Sequence, residues 1–181
     1  ARALHAPLDV LLVRKLGLPG QEELAMGAVA TGGRIVLNEE VLYQVNLPRE
    51  VIDQAIDREL RELKQREKRY RGERPVPDVL DQVVILVDDG LATGSSMRAA
   101  AEALRLQQPQ RIVVAVPVAP VSTCEALRAE VDEVVCVATP EPFYAVGMWY
   151  DDFAQVTDEE VRDLLERASA FHPIGAGPGR P

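Results

Sequence analysis

The chain has 181 residues, of which 47% are hydrophobic and 27% are charged, the balance of an ordinary globular domain. Its formal net charge of −9 argues against general affinity for DNA or RNA, because such binding depends on neutralising many phosphates. No apolar run reaches the roughly 20 residues that cross a bilayer, and we expect neither a signal peptide nor a membrane partner.

The two cysteines, Cys124 and Cys136, are too few for a disulfide framework. Without a secretory context they favour a reducing compartment, so a cytoplasmic location is predicted.

A strand and a hairpin are predicted first along the chain. Residues 8–14 form a short, continuous apolar run, which indicates a buried strand. Residues 27–30 and 34–37 flank a Gly-Gly pair at positions 32 and 33, which is typical of a tight turn, so they are predicted to pair as a hairpin.

A long helix is predicted from Pro48 to about Arg71. Proline is favoured in the first turn of a helix, and the apolar residues that follow recur at helical spacing, so one face should be buried. The last two turns are basic, with Lys64, Arg66, Lys68, Arg69 and Arg71.

Strand and helix patterns alternate after residue 80. An apolar run at residues 83–87 predicts a fully buried strand, and runs at 111–118 and 134–138 predict two further strands, separated by helical segments. Capping-box patterns predict further helix starts at Ser122 with Glu125 and at Thr157 with Glu160. We therefore predict an α/β fold, a mostly parallel sheet with helices on both faces, in which ligands bind beyond the carboxyl ends of the strands.

The domain is predicted to span residues 1–168. Residues 169–181 are rich in Gly and Pro and are predicted to be a flexible tail or linker.

The loop after the strand at residues 83–87 carries most of the chemistry. The strand is followed by two adjacent carboxylates, Asp88 and Asp89, and then by a run of small and hydroxyl-bearing residues before a helix begins. Small residues allow the backbone to approach a phosphate, and a helix N-terminus adds partial positive charge. Carboxylates beside a phosphate site make sense if the ligand also brings hydroxyl groups and a cation. Ribose 5-phosphate fits, with its phosphate in the loop and its 2′- and 3′-hydroxyl groups donating to Asp88 and Asp89.

This pattern resembles the signature of the type I phosphoribosyltransferases: an apolar strand, two acidic residues, two variable residues, Ala-Thr-Gly, and small hydroxyl residues. The resemblance implies transfer of a phosphoribosyl group from 5-phosphoribosyl-1-pyrophosphate to a nitrogenous acceptor such as a nucleobase, with release of pyrophosphate. It implies that Asp88 and Asp89 are catalytic, bind the ribose hydroxyls and help to hold Mg2+. The implied substrate-binding residues of the loop are Gly90, Leu91, Ala92, Thr93, Gly94, Ser95 and Ser96.

Three further segments are similar to a poorly characterised, mainly bacterial subgroup of this family. They lie at residues 13–20, 67–72 and 143–153, and the resemblance covers about residues 8–168. One departure is Ala92, where several relatives carry an acidic residue that assists the acceptor base. Family members also begin with an additional strand and a pyrophosphate-binding loop, so the first core strand is expected to be missing from a truncated chain.

Other residues have two interpretations. Lys15 and Arg14 are expected to contact pyrophosphate from the carboxyl edge of the sheet, or else to form a solvated pair. The basic residues 66–71 are either a charged helix end or a flap over pyrophosphate. The aromatic segment 143–153 is either a small core or a hood, in which Tyr144 and Trp149 would stack on the acceptor base and Asp151 and Asp152 would bind its nitrogens.

The sequence leaves a second function open, a regulatory module that binds 5-phosphoribosyl-1-pyrophosphate without catalysis. Assembly as a homodimer and fusion to another domain are also left open.

Overall fold

The computed structural model describes residues 1–18, 21–45 and 47–171, without the side chains of residues 21–24 and 171. The chain divides into two compact units, Ala1–Asp78 with Gln155–Pro181, and Val79–Ala154. Of the predicted tail, residues 172–181 lie outside the described part. In chain order the elements are β1 (Val13–Leu18), β2 (Gln21–Ala30), β3 (Arg34–Leu37), α1 (Glu39–Val45), α2 (Arg49–Arg71), β4 (Val83–Val87), α3 (Ser95–Arg105), β5 (Arg111–Val118), α4 (Val121–Arg128), β6 (Glu133–Ala138), a 3-10 helix (Val146–Trp149) and α5 (Asp158–Phe171).

The first unit contains an antiparallel sheet in the order β1-β2-β3. The predicted hairpin is confirmed, since β2 and β3 pair and are joined through Gly32 and Gly33, which have φ values of 77° and 71°. The core of this unit packs β-strand residues such as Leu16 and Val29 against Ile52 and Leu63 of α2. The helix predicted from Pro48 is thereby confirmed, while α1 had not been predicted.

The first strand does not lie where its apolar run suggested. β1 begins at Val13 and continues through exposed Lys15 to buried Leu18, pairing with β2 along its length. Burial alternates along β1, as is typical of an antiparallel strand with one covered face. This alternation, and not the run at residues 8–12, marks where the strand lies. Arg14 and Lys15 therefore lie inside the strand, and the expectation that they follow it at the carboxyl edge of the sheet is wrong.

The basic end of α2 is part of an ordered helix. Arg71 is only 4% exposed; it binds the Asp9 carboxylate at 2.9 Å and the Val10 carbonyl at 2.8 Å. Arg69 binds Asp158 at 2.6 Å, at the start of α5. These partners support the interpretation of this segment as a charged helix end.

The start of α5 is the capping box predicted from the sequence. The Glu160 carboxylate accepts a hydrogen bond from the Thr157 N–H at 2.8 Å, and the Glu160 N–H donates to the Thr157 hydroxyl at 3.2 Å. The corresponding prediction for Ser122 is wrong. There α4 begins at Val121 after Pro120, so Ser122 already lies in the first turn.

The second unit has a parallel sheet in the order β4-β5-β6 with α3 and α4 between its strands in sequence, which confirms the α/β fold class. Its core is built from residues such as Ile112 and Val114 of β5, Leu104 of α3 and Leu127 of α4. Only Leu86 of β4 is buried, whereas Val87 is 73% exposed, so the prediction of a fully buried β4 is wrong. Because successive side chains of a strand point to opposite faces, Val83, Ile85 and Val87 share the exposed face of β4. β4 is also the end strand of this sheet.

None of the helices in the described part of the chain is both long enough and apolar enough to cross a membrane.

Candidate functional site

The loop after β4 lies at the carboxyl end of the parallel sheet; it is taken as residues 88–96 and so includes the first two residues of α3. Val87 pairs with Ala115 of β5, and the Leu91 N–H donates to the carbonyl of Val118, the last residue of β5, at 3.0 Å. Leu91 is 3% exposed. The position of the loop is therefore fixed by a hydrogen bond to the end of β5 as well as by its covalent connection to β4.

Gly90 is packed so closely that no larger residue fits. A Cβ atom at this position would lie 2.7 Å from Val146 Cγ1, and 2.9 Å from both Cγ1 and the carbonyl oxygen of Val118. Contacts between carbon atoms normally begin near 3.5 Å, so the absence of a side chain is what allows the loop to pass between these two residues.

Gly94 makes the turn into α3. It has a φ of 72°, a conformation that glycine adopts without strain, and a Cβ here would lie 2.9 Å from Thr123 Cγ2 on α4. The Thr123 hydroxyl donates to the Ala92 carbonyl at 2.8 Å, and Thr123 is buried. Thr123 thus fixes the loop to α4, a role that the sequence pattern gave no means of finding.

The hydroxyl groups of the loop remain accessible. Thr93, Ser95 and Ser96 are exposed, with the Thr93 and Ser95 hydroxyl oxygens 3.2 Å apart. The N–H groups of the first turn of α3 have no partner within the helix, and they add the positive end of its dipole. The loop therefore presents hydroxyl and amide donors to an anion from a backbone that is anchored underneath.

Asp88 and Asp89 are both exposed at the start of the loop. The Asp88 carboxylate accepts a hydrogen bond from the Asp89 N–H at 3.0 Å. Partial burial, and then the negative charge of Asp88, raise the pKa of Asp89 above its usual value, although the Gly90 N–H works in the opposite direction. A cation or a pair of hydroxyl donors would relieve this repulsion.

The pair offers carboxylate oxygens of the kind that Mg2+ prefers, but it is not a complete cage. Within residues 1–18, 21–45 and 47–171, no cluster of three or more His, Cys, Asp or Glu side chains could hold a metal ion. Mg2+ commonly takes one or two carboxylates together with water and substrate phosphate oxygens, so the donor set fits an ion that arrives with its substrate.

The aromatic segment lies against this loop within the second unit. The Tyr150 hydroxyl donates to the Asp89 carbonyl at 2.6 Å, and Val146 covers Gly90. The sequence pointed to Tyr150 only as a member of the aromatic segment, with no contact to the loop assigned to it, and did not single out Val146. Tyr144 and Trp149, which the sequence had suggested for base stacking, are exposed at 75% and 48%.

A family model described as the phosphoribosyl transferase domain matches residues 12–151 of the chain, including the whole loop and the aromatic segment up to Asp151. The chain belongs to the phosphoribosyltransferase family.

Similar proteins agree with this assignment. Two curated proteins from Mycobacterium tuberculosis, strains CDC 1551 and H37Rv, which are named provisionally as phosphoribosyl transferases, are each 42% identical over 168 residues. The alignment covers 93% of this chain but 38% of either relative, so the chain spans about two fifths of their length. The crystal structure of the protein TT1426 from Thermus thermophilus is also similar, with 43% identity and a TM-score of 0.81 over 92% of this chain and 78% of that one.

Arg14 and Lys15 lie in the first unit, whereas the loop lies in the second. The Arg14 side chain is held by Glu59 of α2, with 2.7 Å between Nε and Oε2. Lys15 is exposed at the middle of β1, opposite Ala28. Contact of either side chain with pyrophosphate stays a prediction.

Proposed function

We propose that this domain binds 5-phosphoribosyl-1-pyrophosphate with Mg2+ and transfers the phosphoribosyl group to a nitrogenous acceptor, with release of pyrophosphate. The observation that carries the proposal is the construction of the loop at residues 88–96. Its buried residues Gly90, Leu91 and Gly94 fix the backbone, and its exposed residues carry two carboxylates and several hydroxyl groups.

The 5′-phosphate is assigned to the second half of the loop. The exposed hydroxyls of Thr93, Ser95 and Ser96 and the N–H groups at the start of α3 can donate hydrogen bonds to phosphate oxygens. Because Thr123 and Leu91 hold this backbone in place, the backbone of the loop is already positioned before the ligand arrives, with the Thr93 hydroxyl 3.2 Å from the Ser95 hydroxyl and 3.4 Å from the Ser95 nitrogen. Such preorganisation lowers the cost of binding.

The ribose is assigned to Asp88 and Asp89. Each carboxylate can accept a hydrogen bond from a ribose hydroxyl. When the bond to pyrophosphate breaks, positive charge develops on the ribose ring, and two nearby negative charges stabilise it. The pair therefore both positions the sugar and favours the transition state over the ground state.

Mg2+, when bound, supplies positive charge that offsets the charge of the departing pyrophosphate. Asp88 and Asp89 are the residues proposed to help hold it, and Lys15 is the proposed side-chain contact for pyrophosphate. The exposed rings of Tyr144 and Trp149 offer surfaces on which a planar acceptor, such as a nucleobase, could stack.

A cytoplasmic location belongs to the same proposal. Cys124 and Cys136 are both free thiols, as expected in a reducing compartment. Burial, together with a hydrogen bond to Cys136, raises the pKa of Cys124 to about 11, so this thiol stays protonated at neutral pH.

A second candidate is a regulatory module that binds the same ligand without turning it over. The chain spans 38% of the length of the curated relatives. This favours the second candidate, because catalysis can then depend on parts of a longer protein. Binding of 5-phosphoribosyl-1-pyrophosphate is common to both candidates, and turnover separates them.

The test is a screen for pyrophosphate release with 5-phosphoribosyl-1-pyrophosphate, Mg2+ and a panel of purines, pyrimidines and other amines. We expect turnover with at least one acceptor. Asp88→Asn combined with Asp89→Asn should reduce it by at least the roughly 10²- to 10³-fold typical of one lost electrostatic contact. The double variant Glu39→Gln and Glu40→Gln, which removes the same charge from an exposed adjacent pair on α1, should leave the rate unchanged.

Release of pyrophosphate by the Asn variant at the parent rate would refute the roles given to these carboxylates. Ligand binding without release for any acceptor would favour the regulatory module.

A further inference from the structure

The Asp89–Gly90 peptide is held by a hydrogen bond from the aromatic segment. Its carbonyl oxygen accepts the hydrogen bond from the Tyr150 hydroxyl at 2.6 Å. Because a peptide unit is planar, this hydrogen bond constrains the backbone that carries the Asp89 carboxylate, which is assigned to the ribose.

Tyr150 is itself held by packing on its own segment. Its ring lies 5.2 Å from the ring of Phe153, with 41° between the planes. Phe153 also fills the space beside Gly147, where a Cβ atom would lie 2.7 Å from its Cδ1. Aromatic pairs at this distance are favourable, so the packing on Phe153 supports the ring from which the hydroxyl donates.

The same segment also contacts the next residue of the loop. Val146 Cγ1 would lie 2.7 Å from a Cβ at Gly90, so it closes directly over that backbone. Val146 begins the 3-10 helix and Tyr150 follows it, and they touch consecutive loop residues, one by packing and one by a hydrogen bond. The Tyr150 hydrogen bond to Asp89 and the Val146 packing on Gly90 act at the two ends of one peptide. Together they fix the orientation of the Asp89–Gly90 peptide plane as well as its location.

We propose that Tyr150 is a positioning residue for Asp89, one that holds the Asp89–Gly90 peptide and thereby directs the Asp89 carboxylate toward the ribose hydroxyls. This role rests on the proposed function, because it needs a ribose at Asp89. It acts on the half of the loop that binds the sugar. The half that binds phosphate is anchored separately, by Thr123 at Ala92.

Because the two halves of the loop are anchored by different residues, the role of Tyr150 has a specific test. The parent protein and Tyr150→Phe are titrated with ribose 5-phosphate and, separately, with inorganic phosphate, and the amide signals of the loop are followed by NMR. Tyr150→Phe keeps the ring that packs on Phe153 and removes only the hydroxyl. We expect the affinity for ribose 5-phosphate to fall about three- to tenfold, the range for one lost hydrogen bond, and the affinity for inorganic phosphate to change by less than about twofold.

The chain offers a matched control. The Tyr70 hydroxyl donates to the Asp158 carboxylate at 2.6 Å, the same length as the Tyr150 bond, but it joins α2 to α5 in the first unit. Tyr70→Phe therefore removes an equally short hydrogen bond, and it should change neither affinity.

Three results would overturn the inference. Parent-like affinity of Tyr150→Phe for ribose 5-phosphate would show that the hydroxyl does not direct Asp89. An equal loss for both ligands would show that Tyr150 supports the loop only as structure. Failure of the parent itself to prefer ribose 5-phosphate over inorganic phosphate would remove the proposed sugar site, and the role of Tyr150 with it.

Discussion

Gly90 is the residue of the loop that leaves the least room for substitution. Its backbone passes between Val118 and Val146, and two of the three atoms that a methyl group would meet belong to short branched side chains that cannot swing far. The third is the Val118 carbonyl oxygen, which belongs to the backbone. The need for glycine here comes from close approach and not from an unusual φ.

We expect Gly90→Ala to lower the free energy of unfolding by about 1 to 3 kcal/mol, the usual cost of forcing an extra group into a packed site. Because the loop would shift to accommodate the methyl group, affinity for ribose 5-phosphate should fall as well. Urea denaturation and the same NMR titration measure the two effects.

Gly32→Ala is the comparison for this variant. Gly32 has a φ of 77°, but nothing lies within 4 Å of its Cβ position, so only backbone strain of about 1 kcal/mol is expected and no change in ligand affinity. If Gly90→Ala unfolded at the parent's urea concentration and bound ligand normally, the close packing described for the loop would be incorrect.

Among the elements, β1 and α2 are joined by an ion pair that is mostly buried. Glu59 of α2 accepts hydrogen bonds from Arg14 of β1 at 2.7 Å and from Arg58 at 3.0 Å, and its side chain is 10% exposed. Burial alone would raise the pKa of Glu59, but the hydrogen bonds from Arg14 and Arg58 outweigh it and hold the pKa below the usual 4.5.

A depressed pKa in the folded state means that the ionised Glu59 stabilises the fold. The contribution is fully present above the unfolded pKa of about 4.5 and is lost as the pH falls through the lower, folded value. Glu59→Gln should therefore reduce the free energy of unfolding by about 1 to 3 kcal/mol at pH 7 and by less at pH 3. Urea denaturation at the two pH values measures the difference.

Glu62→Gln, on the exposed side of the same helix, should have little effect at either pH. A loss for Glu59→Gln that is as large at pH 3 as at pH 7 would contradict the role given to its charge.

Elements with a strong local pattern could be predicted from the sequence. The helical spacing of Ile52, Ile56 and Leu63 predicted α2, and the capping box at Thr157 predicted the start of α5. The bounds of β1 could not, because the strand is set by its pairing with β2 and not by its own apolar run. The short helix α1 has only seven residues, and its apolar residues Val41, Leu42 and Val45 are only partly buried, so its periodic signal is too short to identify the helix.

For the site, the sequence could predict the loop but not what holds it. Residues 88–96 are contiguous, and their order alone resembled the family signature. The Tyr150 and Thr123 contacts join positions 61 and 31 residues apart in sequence, and no local pattern records such a pairing. Lys15 was misplaced relative to the strand end for the same reason, since the register of β1 depends on a distant partner.

At the scale of the whole molecule, the chain divides into two compact units. The loop and the aromatic segment form one connected group in the unit Val79–Ala154, and Lys15 lies in the other unit. The proposed contacts with the sugar and the 5′-phosphate need only the second unit. The role of Lys15 toward pyrophosphate and the identity of the acceptor depend on more of the protein.

Isothermal titration of the protein with 5-phosphoribosyl-1-pyrophosphate and Mg2+ tests the central claim most directly. We expect one ligand per chain for the parent and no measurable binding for Asp88→Asn combined with Asp89→Asn, with the Glu39→Gln and Glu40→Gln variant binding like the parent. Absence of binding by the parent, or undiminished binding by the Asn variant, would contradict the assignment of this loop to ribose phosphate.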